Sequence, residues 1–196
     1  LIALYLGDLL GTIEKTEYDT ILHELEALPE KLERVLASIE DVKYFASRYF
    51  NHDSIFFIGR NLDYAMGLEG SLKLKEISYI HSEAYASGEL KHGTISLITE
   101  NMPVIAVATQ KALKEKTISN IKEVKARGAR VILVCRESDS VDPEAVDIRF
   151  DLPEFDDLLM PMIAVVPLQL IAYYTSVLKG NDVDKPRNLA KSVTVE

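Results

Sequence analysis

The chain has 196 residues, 47% of them hydrophobic and 27% charged, with a formal net charge of −9. These are ordinary values for a globular protein with a real core, and the length suits one domain or one domain with an appendage. The acidic balance argues against nonspecific binding to nucleic acid or to an anionic membrane. It leaves room for a phosphate-bearing small molecule, because local backbone amides bind anions on acidic proteins too.

The opening "LIALYLGDLLG" is apolar but short, with no basic flank and no small-residue cleavage site. It therefore reads neither as a signal peptide nor as a membrane span. Leu1 to Gly11 reads as the last turns of a helix ending at glycine, a common stop signal, and is expected to close a domain that precedes it. Glu17 to Phe50 is helical in pattern. Ile21, Leu22, Leu25 and Leu28 recur at helical spacing, Pro29 is expected to open a second helix, and Leu32, Val35, Leu36 and Ile39 continue the stripe. No other segment is expected to be long and apolar enough to span a bilayer.

The pattern then changes. "SIFFIGR" (Ser54 to Arg60) is a short apolar run ending near glycine, the mark of a buried strand. A helix is expected over Asn61 to Ile80, a short strand over Ser82 to Ala86 and a helix over Glu89 to Ile98. Further strands are expected at Met102 to Thr109, Ala129 to Arg136 and, more weakly, Val146 to Pro153. Helices are expected over Gln110 to Arg127 and Asp156 to Leu178, with Gly128 and Gly180 as stops. Apolar strands alternating with helices imply a parallel sheet covered on both faces. The predicted fold is α/β, a three-layer α/β/α sandwich with a parallel, doubly wound sheet. In such sheets ligands gather outside the carboxyl ends of the strands. The expected division is linker helices over 1–50, the sandwich over 51–180 and a tail over 181–196.

The richest stretch for chemistry is "GLEGSLKLKEISYIHSEAYASGELKHG", Gly67 to Gly93. Glu69, Lys73 and Glu76 fall at i, i+4 and i+7, so they share one helix face. On pattern alone this reads first as an exposed, helix-stabilising stripe. The functional reading is a carboxylate and an amine held together at a cleft. Gly67 and Gly70 each cost a helix about 1 kcal/mol relative to alanine, which points to a close approach, expected here from a neighbouring subunit. His92 sits between glycines in "GELKHG" and is a candidate general acid or base. No two of His23, His52, His81 and His92 make a zinc-type pair, so no metal is expected. Cys135, alone and inside an apolar run, reads as a buried small hydrophobe. Phosphate-loop, dinucleotide-fold and nucleophile-elbow motifs are absent. Thr109 and Gln110, after the expected third strand, are weak candidates to donate to an anion.

The blocks "LEGSLKLKEISYIHSEAYASGELKHG", "MPVIAVAT" and "VPLQLIAYYTSVLKGNDVDKPRNLAKSVTVE" resemble the C-terminal part of the glutamine–fructose-6-phosphate aminotransferase (isomerising) family. The resemblance covers nearly the whole chain. It implies the second of two sugar-isomerase (SIS) domains, with the glutaminase and first SIS domains lying outside this chain. It implies conversion of fructose 6-phosphate and glutamine-derived ammonia to glucosamine 6-phosphate by a cytoplasmic homodimer, without a cofactor. By resemblance, Glu76 is the base that moves a proton between C1 and C2, and Lys73 assists it. His92 opens the sugar ring in the neighbouring subunit's site, and Lys191 forms a Schiff base beside Ala190. The tail is then expected to fold over a cleft at the carboxyl edge. A noncatalytic sugar-phosphate-binding SIS module would not need Glu76 or Lys191. A simple sugar-phosphate isomerase or deglycase on the same fold would not need the ending "NLAKSVTVE".

Overall fold

Valine, isoleucine and phenylalanine crowd the short apolar runs, and β-branched and aromatic side chains suit a pleated, buried surface. The runs become five strands in a computed structural model that describes residues 1–187. They are β1 (Ser54–Gly59), β2 (His81–Ala86), β3 (Pro103–Ala108), β4 (Arg130–Arg136) and β5 (Ile148–Leu152). All are parallel, in the order β2-β1-β3-β4-β5. The strand order reverses between β1 and β3, which makes that crevice the topological switch point.

The helices are α1 (Ile2–Leu9), α2 (Lys15–Ala37), α3 (Glu40–Tyr49), α4 (Leu62–Ser78), α5 (Lys114–Lys125) and α6 (Pro161–Leu178). Alternate strand residues point to opposite faces, and two cores result. Ile55, Phe57, Ile105, Val107, Ile132 and Val134 face α2, α3, α4 and α6. Phe56, Ile58, Val104, Ala106, Val131 and Leu133 face α5 and three 3₁₀ turns. This is the three-layer sandwich expected. The lead-in helices are part of it, since Val35 of α2 and Val42 and Phe45 of α3 are buried in the first core.

Four local expectations are corrected. Pro29 does not open a helix but lies inside α2, and the break falls at Ser38–Ile39. Proline weakens a helix interior, yet Leu28 and Leu32 on either side pack on the first core, and that packing carries the helix through. Glu89 to Ile98 is not one helix. It is two 3₁₀ turns, Ser87–His92 and Thr94–Leu97, parted at Gly93, whose φ of 148° no helix accommodates. Gly70 does admit a close approach, but within the chain. A Cβ there would stand 2.9 Å from Phe57 Cε1 and 3.0 Å from Leu168 Cδ1, so α4 lies tightly on β1 and α6. Finally, α6 is by length and composition apolar enough to cross a membrane, with a mean hydropathy of 1.5 over 18 residues. Its Ile163, Ala164, Leu168, Ile171 and Ala172 are fully buried in the first core, which accounts for that apolarity.

Candidate active site

Glu69, Lys73 and Glu76 do share a face of α4. Lys73 Nζ donates to Glu76 Oε2 at 2.8 Å and stands 3.9 Å from Glu69 Oε1. The three side chains are partly buried, Glu76 the most, at 21% exposed. The hydrogen bond to Glu76, reinforced by both carboxylate charges, raises the Lys73 ammonium above the usual lysine value against a smaller effect of burial. Lys73 is therefore a fixed cation near neutral pH. It orients one oxygen of Glu76, while Oε1 has no hydrogen-bond partner among the described residues. A carboxylate held this way can take a proton at one oxygen while a cation steadies the negative charge that develops beside it.

The site lies at the opposite edge from the one expected. Helix α4 leaves the carboxyl end of β1 and returns to the start of β2, which is parallel to β1. It spans about 25 Å, so Lys73 and Glu76, in its last two turns, lie toward the amino edge of the sheet. His92 follows β2 and lies past the carboxyl edge, with Nε2 3.9 Å from Glu89 Oε2 and the ring largely exposed. Within one chain Glu76 and His92 are thus separated by the depth of the sheet, roughly 20 Å.

The described part of the tail also goes to the amino edge. Helix α6 ends there, and Ser176 Oγ (2.8 Å) and Asn181 Nδ2 (3.1 Å) both donate to the Ile77 carbonyl. They satisfy an acceptor that the end of α4 leaves open. Tyr79, just beyond α4, adopts φ 62° and ψ 16°, a left-handed conformation uncommon for an aromatic residue. Its ring meets Arg187: the Arg187 backbone N–H donates to the Tyr79 hydroxyl at 2.8 Å, and the guanidinium lies 4.0 Å from the ring centroid. Tyr79 is three residues from Glu76, so the described part of the tail is fastened at the same edge as the Lys73–Glu76 pair. Lys191 and Ala190 lie outside the described residues.

Thr109 and Gln110 lie at the carboxyl edge, where the expected outside anion is replaced by an internal one. The backbone N–H groups of Thr109 (2.9 Å) and Gln110 (3.2 Å) donate to Asp63 Oδ2, and the Thr109 hydroxyl donates to Oδ1 at 2.5 Å. Gln110 Nε2 donates to the Asp157 carbonyl. Burial pushes the Asp63 carboxyl above its ordinary value, against these hydrogen bonds and the Arg136 charge. Arg136, 1% exposed, donates from Nε to the Thr109 carbonyl and from Nη1 to the Phe155 carbonyl, both at 2.7 Å. It also pairs with Glu154 and Asp157. Sequence reasoning passed over Asp63, Arg136 and Tyr79. The one local signal was for Tyr79: α4 stops without the glycine that usually takes the left-handed position.

Residues 48–179 match the family model described as SIS domain. The chain belongs to the SIS domain family. All of this SIS chain aligns, at 52% identity, with a glutamine–fructose-6-phosphate aminotransferase [isomerizing] of Clostridium acetobutylicum, covering 32% of that protein. The corresponding protein of Symbiobacterium thermophilum is 53% identical over the same share. The chain thus spans about a third of the length of these curated relatives. Among solved structures, the C-terminal domain of glucosamine-fructose-6-phosphate aminotransferase from Francisella tularensis superposes with a TM-score of 0.88 at 35% identity. That match covers 94% of this chain and 52% of the other.

Proposed function

We propose that this SIS domain is the C-terminal part of the isomerase portion of a glutamine–fructose-6-phosphate aminotransferase. In this reading it acts as a cytoplasmic homodimer together with glutaminase and first SIS domains. The observation that carries the reading is the Lys73–Glu76 pair, at 2.8 Å, on the edge where the tail is fastened. Lys191 follows Arg187 in the sequence with three residues between them.

The chemistry follows from these groups. A ketose imine becomes an aldose when one base removes the C1 proton and returns it to C2. Glu76 can serve both carbons, because its carboxylate is steadied from one side only. Lys73, raised and permanently charged, is unsuited to attack a carbonyl and suited to offset charge on the enediol or enamine oxygen. The Schiff-base amine must then be a different lysine, and Lys191 is the candidate the family resemblance supplies. His92 lies on the far edge of its own chain, so in this reading it serves ring opening in the neighbouring subunit's site.

The test uses the full-length enzyme with separate assays for glutamine hydrolysis and for glucosamine 6-phosphate. Glu76→Gln is expected to reduce sugar product by about 10²- to 10⁴-fold, the usual scale for losing a general base, with glutamine hydrolysis retained. Lys191→Ala is expected to lose the sugar product likewise. Unimpaired product formation by either variant would refute the role assigned to that residue.

A further inference from the structure

Open α/β sheets take their ligands in the crevice where strand order reverses, outside the carboxyl ends. Here that crevice lies between β1 and β3, and a side chain of the protein already fills it. Asp63, in the first turn of α4, is 2% exposed. Two successive backbone N–H groups, from Thr109 and Gln110, converge on its Oδ2, and the Thr109 hydroxyl reaches its Oδ1. Adjacent amides and a hydroxyl converging on the oxygens of one anion are the donors a phosphate ester would need. The buried Arg136, bonded to the Thr109 carbonyl, places a positive charge behind them. The strand end is shaped for this closure. A Cβ at Gly59 would stand 2.6 Å from the Asp63 carbonyl carbon, so only glycine lets the first turn of α4 fold over β1.

We propose that Asp63 is a resident anion that occupies the anion cradle of the switch-point crevice and so excludes phosphate esters from the carboxyl edge of this domain. The donors cannot serve two anions, and a carboxylate in the cradle repels a second negative group. Asp63 is in this sense a specificity residue that acts by exclusion. Any phosphate the protein recognises must then be seated away from this edge. The inference does not depend on the reaction proposed above, since Glu76 lies at the other edge and the readout is anion binding rather than turnover.

Asp63→Ala removes the carboxylate and leaves the donors in place. Calorimetric titration of the 196-residue chain with inorganic phosphate, at constant ionic strength in chloride, should show binding at least about tenfold tighter in the variant than in the unaltered chain. Formate, the smallest carboxylate, should raise the melting temperature of the variant and leave that of the unaltered chain unmoved. A folded variant with no gain in phosphate affinity overturns the proposal. A second measurement needs no variant: the amide resonances of Thr109 and Gln110 in the unaltered chain should stay fixed during phosphate titration. A saturable shift there overturns it as well, because the cradle would then be open to outside anions.

Discussion

Lys73 and Glu76 were legible in the sequence because their relation is local. Helical spacing alone puts residues three and four apart on one face. Asp63 and Arg136 were not, because their partners lie 46 and 47 residues away for Asp63 and 18 to 27 away for Arg136. No local rule brings those groups together; the parallel crossovers that set the ends of β1, β3, β4 and β5 along one edge do. Cys135 is the converse case, a residue whose inertness composition and pattern already suggest. It is 1% exposed in β4, and burial pushes its thiol up to about 12. A thiol reagent such as Ellman's reagent should therefore leave the folded chain unlabelled at pH 8 and label one thiol per chain in denaturant. Rapid labelling of the folded chain would contradict this burial.

Among the elements, the strands were easy to read and the connections were not. Strands β1, β3 and β4 are buried on both faces, so each is an unbroken apolar run with sharp ends. Pro29 misled because propensity is a weak term beside a stripe that packs on both sides of it. The segment after β2 misled because nothing in its residue pattern reveals the φ of Gly93. Packing of α4 on α6 sets the sharpest element-scale expectation. Gly70→Ala adds a methyl within 3.1 Å of Phe57 and Leu168 atoms. It should lower stability by about 1 to 3 kcal/mol through overpacking, despite alanine's better helix propensity, as read by urea denaturation. A neutral or stabilising result would mean the two helices separate more easily than this packing implies.

For the molecule as a whole, net charge says little about stability toward acid, and individual carboxylates say more. Burial favours the neutral form of Asp147, yet hydrogen bonds from Lys125, the Val131 N–H and Arg130 outweigh it and hold the carboxyl below its ordinary value. Glu154 is lowered as well, where Ser138 and Arg136 overcome burial. A lowered carboxyl contributes stability above the unfolded-state value, about 4, and that contribution disappears as pH falls through the folded value. Asp63, raised by burial, acts in the opposite sense and loses stability as pH rises through its folded value. The melting temperature should therefore drop on acidification below about pH 4, and Asp147→Asn should be less stable at neutral pH with a shallower acid drop. An unchanged acid profile in that variant would remove Asp147 from the account. The all-parallel sheet has a further consequence, for the order of assembly. The face of β1 and β3 carrying Ile55, Phe57 and Ile105 is roofed in part by α6, which the ribosome delivers about a hundred residues after β1. At synthesis rates of ~5–20 residues per second, that apolar face stays open for roughly 5 to 20 seconds, long enough for a chaperone to engage the nascent chain before the fold can close.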